Sequence, residues 1–274
     1  MLTEATMEPV GDAIADSLRQ AFRDTLRVYG IPSLALWRAA ELAILRNYEY
    51  SEAILEIGCG NGAFAALLFS RLDLGIDSEA KQIRRCNRSG SIYRATAIMD
   101  ARDLRIPSNS FRTVFANCVL EHIPNIETAL AEFSRVLQPG GKLIATIPLA
   151  EMEKYMKSSS AAYLARRRRD LVHINLFTSG RWTELLLAAG FDHPQMTPYL
   201  RGGACKKWDD VEFAFGRGLG RLTVSQLYRR IRAALPTVLR DVVDRFWYRR
   251  LIGVLLNPDH NPICAVTLVA TKRA

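Results

Sequence analysis

The chain has 274 residues, of which 49% are hydrophobic and 24% charged, and its formal charge is +9. This is the composition of a globular protein of one large or two smaller domains, and it excludes a disordered or fibrous chain. No run of about 18 uncharged apolar residues occurs, which argues against a spanning helix.

The first twenty residues, MLTEATMEPVGDAIADSLRQ, lack the basic-then-apolar order of a secretory signal. Ile14, Leu18, Phe22 and Leu26 then recur every four positions between Gly11 and Tyr29, the spacing of a helix. Gly30 and Pro32 end it, and Ser33 is placed to cap the next, LALWRAAELAILRNY. Five short apolar runs follow: AILEIG, LDLGID, TAIMD, TVFANCVL and KLIATIP. The spacers between them are long enough for helices, which predicts a doubly wound α/β domain with a parallel sheet covered on both faces. IETALAEFSRVLQPGG reads as a helix closed by Pro139-Gly140-Gly141, and RWTELLLAAG as another ending at Gly190. FDHPQMTPYL and ICAVTLVATK are the last two strand candidates. The expected organisation is a helical cap over 1–48, a core over 49–200, a basic helical insertion over 201–262 and a final core strand over 263–274. The five cysteines (Cys59, Cys86, Cys118, Cys205, Cys264) are scattered without a CxxC pair. They read as reduced thiols of a cytoplasmic protein, with no metal site and no disulfide framework.

Three glycines, Gly58, Gly60 and Gly62, follow the first strand directly. A parallel sheet binds ligands at the carboxyl ends of its strands, and glycines there allow positive φ and close approach to the backbone. Asp77 ends the next strand and can accept from both hydroxyls of a ribose, so a nucleotide-like cofactor is expected. GCGNGA also satisfies the loose dinucleotide pattern G-x-G-x-x-G/A. Glu56, just before the first glycine, would sit badly with a pyrophosphate and well with a sulfonium or ammonium group.

ILEIGCGNG resembles the first motif of the class I S-adenosylmethionine-dependent methyltransferases. GID at 75–77, MDARDLRIPSNSF at 99–111, ANCVLEHI at 116–123 and RVLQPGGKLIATIP at 135–148 follow in the family's order, in the pattern of its ubiquinone/menaquinone-biosynthesis branch. Arg112 departs from that pattern, which has Asp there; an altered structural contact is expected. The resemblance implies a Rossmann-like, mostly parallel seven-stranded sheet with its last strand antiparallel, N-terminal helices and a helical insertion before that strand. It implies methyl transfer from S-adenosyl-L-methionine, to oxygen of a small-molecule, sugar or lipid-linked acceptor. It further implies that Glu56, Gly58, Cys59 and Gly60 line the methionine end, Asp77 takes the ribose, and Ser78 lies beside the adenine. Asp100 would accept from the adenine amino group with Ala101 and Arg102 supplying backbone, and Asn117 would back the methionine moiety. Cys59 and Cys118 read as packing residues, since nothing nearby supplies a base or metal partner.

A hydroxyl acceptor benefits from a base, and a neutral His suits that role near pH 7. His122, in LEHI after the fourth strand, and His173, in the lid-like VHINLF, are the two candidates; for each, a structural role stays open. His193 and His260 lie in Pro-containing turns and read as surface residues.

Residues 201–262 carry twelve Arg and Lys against six Asp and Glu. Three readings of this stretch stand: a helical cover, contact of 222–256 with an anionic membrane at the inner face, or a nucleic-acid surface. Arg166 to Arg169 reads as a solvated helix face or as an attractor for an anionic acceptor. PSLALWRAAE and the stretch from VHINLFTSGRW to PYL are similar to methyltransferases of bacterial cell-surface sugar and glycolipid assembly. Two alternatives to small-molecule methylation are an RNA acceptor and a cofactor-binding, non-catalytic regulatory protein.

Overall fold

The computed structural model describes residues 12–88, 92–219, 222–257 and 262–274. His260 lies outside them. The chain divides into two compact units, one made of residues 47–154, 158–199 and 263–274, the other of 1–46, 155–157 and 200–262.

The larger unit is built on a seven-stranded sheet: β1 (Ile54–Ile57), β2 (Leu72–Asp77), β3 (Tyr93–Ile98), β4 (Phe111–Asn117), β5 (Leu137–Pro148), β6 (Gln195–Arg201) and β7 (Ile263–Thr271). Their order across the sheet is β3-β2-β1-β4-β5-β7-β6. The β1–β5 pairings are parallel, whereas β7 runs antiparallel to β5 with Ile144 opposite Val269. The mostly parallel seven-stranded sheet expected from the sequence is thus present. All four residues of β1 are buried, because a central parallel strand is covered on both faces. Phe115 of β4 packs edge-on against Tyr50 and Phe69. Reversal of strand order beside β1 opens a crevice at the carboxyl ends of β1, β2 and β4, where a ligand site belongs.

Two sequence boundaries are corrected. The helix in IETALAEFSRVLQPGG stops at Val136, and Leu137 already pairs with Phe111 as the start of β5. The ladder then slips to Thr113 opposite Lys142, so that Pro139, which has no N–H to donate, and Gly140, at φ +74°, loop out of register. Ser33 is no cap: Pro32 opens its helix at the first turn, and the buried Ser33 hydroxyl donates to Glu212.

The second unit is helical. α1 (Asp12–Tyr29) buries Leu18, Phe22 and Leu26 and leaves Ile14 exposed. The Thr25 hydroxyl donates to Ala35 O of α2 (Pro32–Leu45) at 2.9 Å. Trp37 of α2 packs on Trp208 of a helix over Gly202–Phe215, with centroids 4.8 Å apart. Two further helices, over Val224–Ala234 and Thr237–Leu256, are joined by the Arg232–Asp244 ion pair at 2.7 Å. The same guanidinium donates to Leu26 O at 3.2 Å, which ties both helices to α1.

Candidate active site

Gly58 leaves β1 at φ +66°, and a Cβ there would lie 2.6 Å from Val119 Cγ2, so side chain and backbone both require glycine. The turn closes through Gly62 N–H to Cys59 O, 2.9 Å, and leads into a one-turn helix over Ala65–Leu68. Asp77, at the end of β2, accepts from Gly60 N at 2.9 Å and from Glu79 N at 2.8 Å. One carboxylate therefore fixes both turns that rim the crevice, and each of its oxygens retains a lone pair for a ligand hydroxyl.

A cleft of ≈ 550 Å³ opens between these turns and the chain after β4. Gly58, Asp77, Ser78, Asp100, Ala101, Arg102 and His122 line it, joined by the apolar Ile57, Ile76, Met99 and Ile123. Among the other sequence candidates, Glu56, Cys59, Gly60, Asn117 and His173 do not line it. Glu56 is buried beneath the glycine turn and accepts from the Tyr93 hydroxyl. Cys59 is a packing residue, and burial raises its thiol well above the usual range. Asn117 Nδ2 donates to Thr146 Oγ1 at 2.7 Å, on the same hydroxyl that accepts from Cys118 N at 3.0 Å. Asp100 faces the cleft with its carboxylate on Arg102, from Nη2 at 2.7 Å, Nε at 3.0 Å and the backbone N at 2.9 Å. The Arg102 side chain and its amide hold that carboxyl below the usual carboxylate range.

The far wall is formed where β4 ends. Cys118 sits at φ +49°, a left-handed conformation held by its amide to Thr146, and a 3₁₀ turn over Leu120–His122 follows. A segment after the helix over Ala161–Leu171 is fastened to this turn. Asn175 Nδ2 donates to Leu120 O (2.8 Å) and Ile123 O (2.7 Å), and the amides of Ile174 and Asn175 both donate to Glu121 O. Val172, left-handed at φ 57°, reaches the cleft and offers its carbonyl to His122 Nδ1 at 2.9 Å. The His122 and His173 rings lie 5.6 Å apart. Burial, then the neighbouring His122 and Arg167, push His173 down to about 4. His173 therefore backs His122, and His193 is exposed away from this cluster of residues.

Sequence reasoning missed Gln82, Glu79, Val119, Pro124 and Val172 in the wall. Gln82 could have been found, since it follows Ser78 by four residues across a helix start and so shares its face. Val172 could not, because its position depends on Asn175, which carries no motif. Three of the four arginines of the Arg166–Arg169 run are exposed. Arg167 is buried, Arg168 pairs with Glu153, and Arg166 pairs with Asp170 at 3.3 Å. The atypical Arg112 is exposed and donates to Gln138 at 3.3 Å.

Residues 55–145 match the family model described as a methyltransferase domain. The chain is 31% identical over 162 residues to 27-O-demethylrifamycin SV methyltransferase of Amycolatopsis mediterranei, across 52% of this chain and 59% of that one. Residues 55–145 are therefore a methyltransferase domain of the class I S-adenosylmethionine-dependent type. A malonyl-[acyl-carrier protein] O-methyltransferase of Paenibacillus is 26% identical to this chain over 171 residues, 56% of this chain and 62% of its own. The chain spans about three fifths of the length of these relatives. Phosphoethanolamine N-methyltransferase 2 of Haemonchus contortus, solved with S-adenosyl-L-methionine, shares its fold. The TM-score is 0.56 at 17% identity, over 92% of this chain and 60% of that one.

The residues of the cleft fit that cofactor. Its volume is in the range of small-molecule sites, about 300–1,000 Å³. The Asp77 carboxylate has acceptors that two ribose hydroxyls would need, and Ile57, Ile76, Met99 and Ile123 give the wall apolar surface that a base would need. Gly58 presents backbone without a side chain in the same wall as His122.

Proposed function

We propose that this methyltransferase acts on a hydroxyl of a small-molecule, sugar or lipid-linked acceptor, with His122 taking the acceptor's proton. Bound S-adenosylmethionine supplies a methyl group already activated on a sulfonium. The chain's own contribution is then alignment, exclusion of water and proton removal. The observation that carries this reading is the His122 Nδ1 contact with the Val172 carbonyl. A carbonyl only accepts, so Nδ1 bears the proton and Nε2 is left as the basic nitrogen in the cleft wall. Nε2 lies 3.8 Å from the buried Glu121 carboxylate. Two curated relatives with O-methyltransferase or O-demethyl substrate names support oxygen as the acceptor atom.

The test uses the purified full chain, S-adenosylmethionine and a panel of hydroxyl acceptors that begins with sugars and lipid extracts, read by release of S-adenosylhomocysteine. His122→Ala should lower kcat by roughly 10²–10⁴-fold while calorimetric cofactor affinity holds. Asp77→Ala should weaken cofactor binding itself. Full turnover by His122→Ala overturns the base assignment, and no cofactor binding by the folded wild type overturns the reading of the cleft.

A further inference from the structure

The helical unit holds a second feature that methyl transfer does not use. Val238, Leu239, Val242 and Phe246 of the helix over Thr237–Leu256 are all exposed, Val238 at 73%. At about 100° per residue they fall within one arc of roughly 100°. Leu227 and Ile231, one turn apart on the preceding helix, are exposed as well, and that helix buries no residue. Arginine is the only cation on these two helices, seven residues against two Asp. Arg232 is spent on Asp244, and Arg240 donates to Leu235 O and Ala233 O to hold the turn between the helices. Arg229, Arg230, Arg245, Arg249 and Arg250 make no hydrogen bond or ion pair among the described residues. By the same helical spacing, Arg245, Arg249 and Arg250 border or enter the apolar arc.

Behind that arc, α1 and the same helix enclose a cavity of ≈ 370 Å³ lined by Arg23, Arg27, Arg245, Arg249 and Tyr248, with Asp241 and Asp244 also in its wall. Arg23 lies over the Tyr248 ring, 5.0 Å from its centroid. Four guanidinium groups thus converge where one of the two carboxylates, Asp244, is already neutralised by Arg232. Arg245 and Arg249 belong both to this cavity and to the border of the apolar arc.

We propose that these two helices form a docking face for an anionic lipid bilayer, with the four-arginine cavity receiving a lipid phosphate. Exposed Val, Leu and Phe gain by entering the acyl boundary, while unpaired arginines beside them meet the headgroups. A nucleic-acid surface uses such arginines too, but gains nothing from four exposed aliphatic or aromatic side chains between them.

The experiment is flotation of the full chain with vesicles of phosphatidylcholine alone and with about one third phosphatidylglycerol. Binding to the anionic vesicles alone is expected. The double variant Arg245→Gln/Arg249→Gln should weaken it roughly 25-fold, about fivefold for each arginine. Val242→Asp/Phe246→Asp should weaken it at high salt, where only the apolar contribution survives. Because these positions are exposed, thermal midpoints should match wild type, and the single variant Val238→Asp serves where a double variant does not fold. No flotation with anionic vesicles overturns the proposal, as does flotation unchanged in both double variants. Salt-sensitive RNA binding indifferent to Val242→Asp/Phe246→Asp, without vesicle binding, replaces it with a nucleic-acid face.

Discussion

The Tyr93 hydroxyl, on β3, donates to the Glu56 carboxylate two strands away on β1, and both side chains are buried. Burial, reinforced by the Glu56 charge, raises the Tyr93 phenol far above its ordinary value, so tyrosine stays a donor at every accessible pH. The same ring packs against Gly75 and Gly62, where an added Cβ would meet it at 2.7 and 3.2 Å. Tyr93→Phe keeps the packing and removes the donor. It should cost about 1–3 kcal/mol, because a buried carboxylate loses a partner. Urea unfolding should show a lower midpoint at unchanged slope.

Glycines of the first turn should differ in what they tolerate. At Gly58, alanine meets both an unfavourable φ and Val119 at 2.6 Å. At Gly60, φ is +55° but nothing lies within 4 Å. Gly60→Ala should therefore cost only the left-handed penalty, about 1–2 kcal/mol of stability. Gly58→Ala should also displace Val119, a wall of the cleft, and weaken S-adenosylmethionine binding by tenfold or more at a conserved fold. Calorimetric titration of both variants makes the comparison.

How much was legible in the sequence follows from what each contact spans. The glycine turn, Asp77 and Asp100 are local devices: each acts within a few residues of its own strand end, so short motifs carried them into the cleft. Glu56 was legible as a residue and not as a contact, because its partner Tyr93 is 37 residues away. The histidines show the same limit. LEHI placed His122 at the cleft, whereas the relation of His122 to His173 depends on Asn175 reaching back 52 and 55 residues to two carbonyls. The helices of 201–262 were read from periodicity, but their ion pair to one another and their hold on α1 involve Arg232, one arginine among twelve basic residues with nothing local to single it out.

The loop that carries Asp100 depends on a helix far from the cleft. Arg135 donates to Ile106 O and Leu104 O, both at 2.7 Å, and pairs with Glu132, whose other role is to accept from Leu104 N at 2.8 Å. Hydrogen bonds from Arg135 lower the Glu132 carboxyl below its usual range. Glu132→Gln retains an acceptor for the Leu104 amide and should be mild. Glu132→Ala leaves that amide and the guanidinium short of a partner, at about 1–3 kcal/mol. If the pair positions Asp100 and Arg102, Glu132→Ala should also raise the cofactor Kd, and the Gln variant should rescue it; equal affinity in all three would limit the pair to stability.

His173 should make the protein less stable in mild acid. Its ring is half-buried beside His122 and Arg167, its Nδ1 has no hydrogen-bond partner among the described residues, and these surroundings lower it from 6.5 to about 4. The unfolded chain then binds a proton between those two values that the folded chain refuses. Stability contributed by the neutral ring is complete above about pH 6.5 and is lost as pH falls toward 4, by on the order of 2–3 kcal/mol. Urea midpoints measured at pH 7.5 and pH 5 should differ in wild type, and His173→Gln should narrow the difference. In the proposed reaction the same neutrality would serve His122: with His173 uncharged near pH 7, a proton taken up by His122 would meet no like charge on the adjacent ring. His173→Lys introduces a cation there and should shift the acid limb of the kcat–pH profile downward, while His173→Gln should leave it in place. An unchanged limb in His173→Lys would disconnect the two histidines.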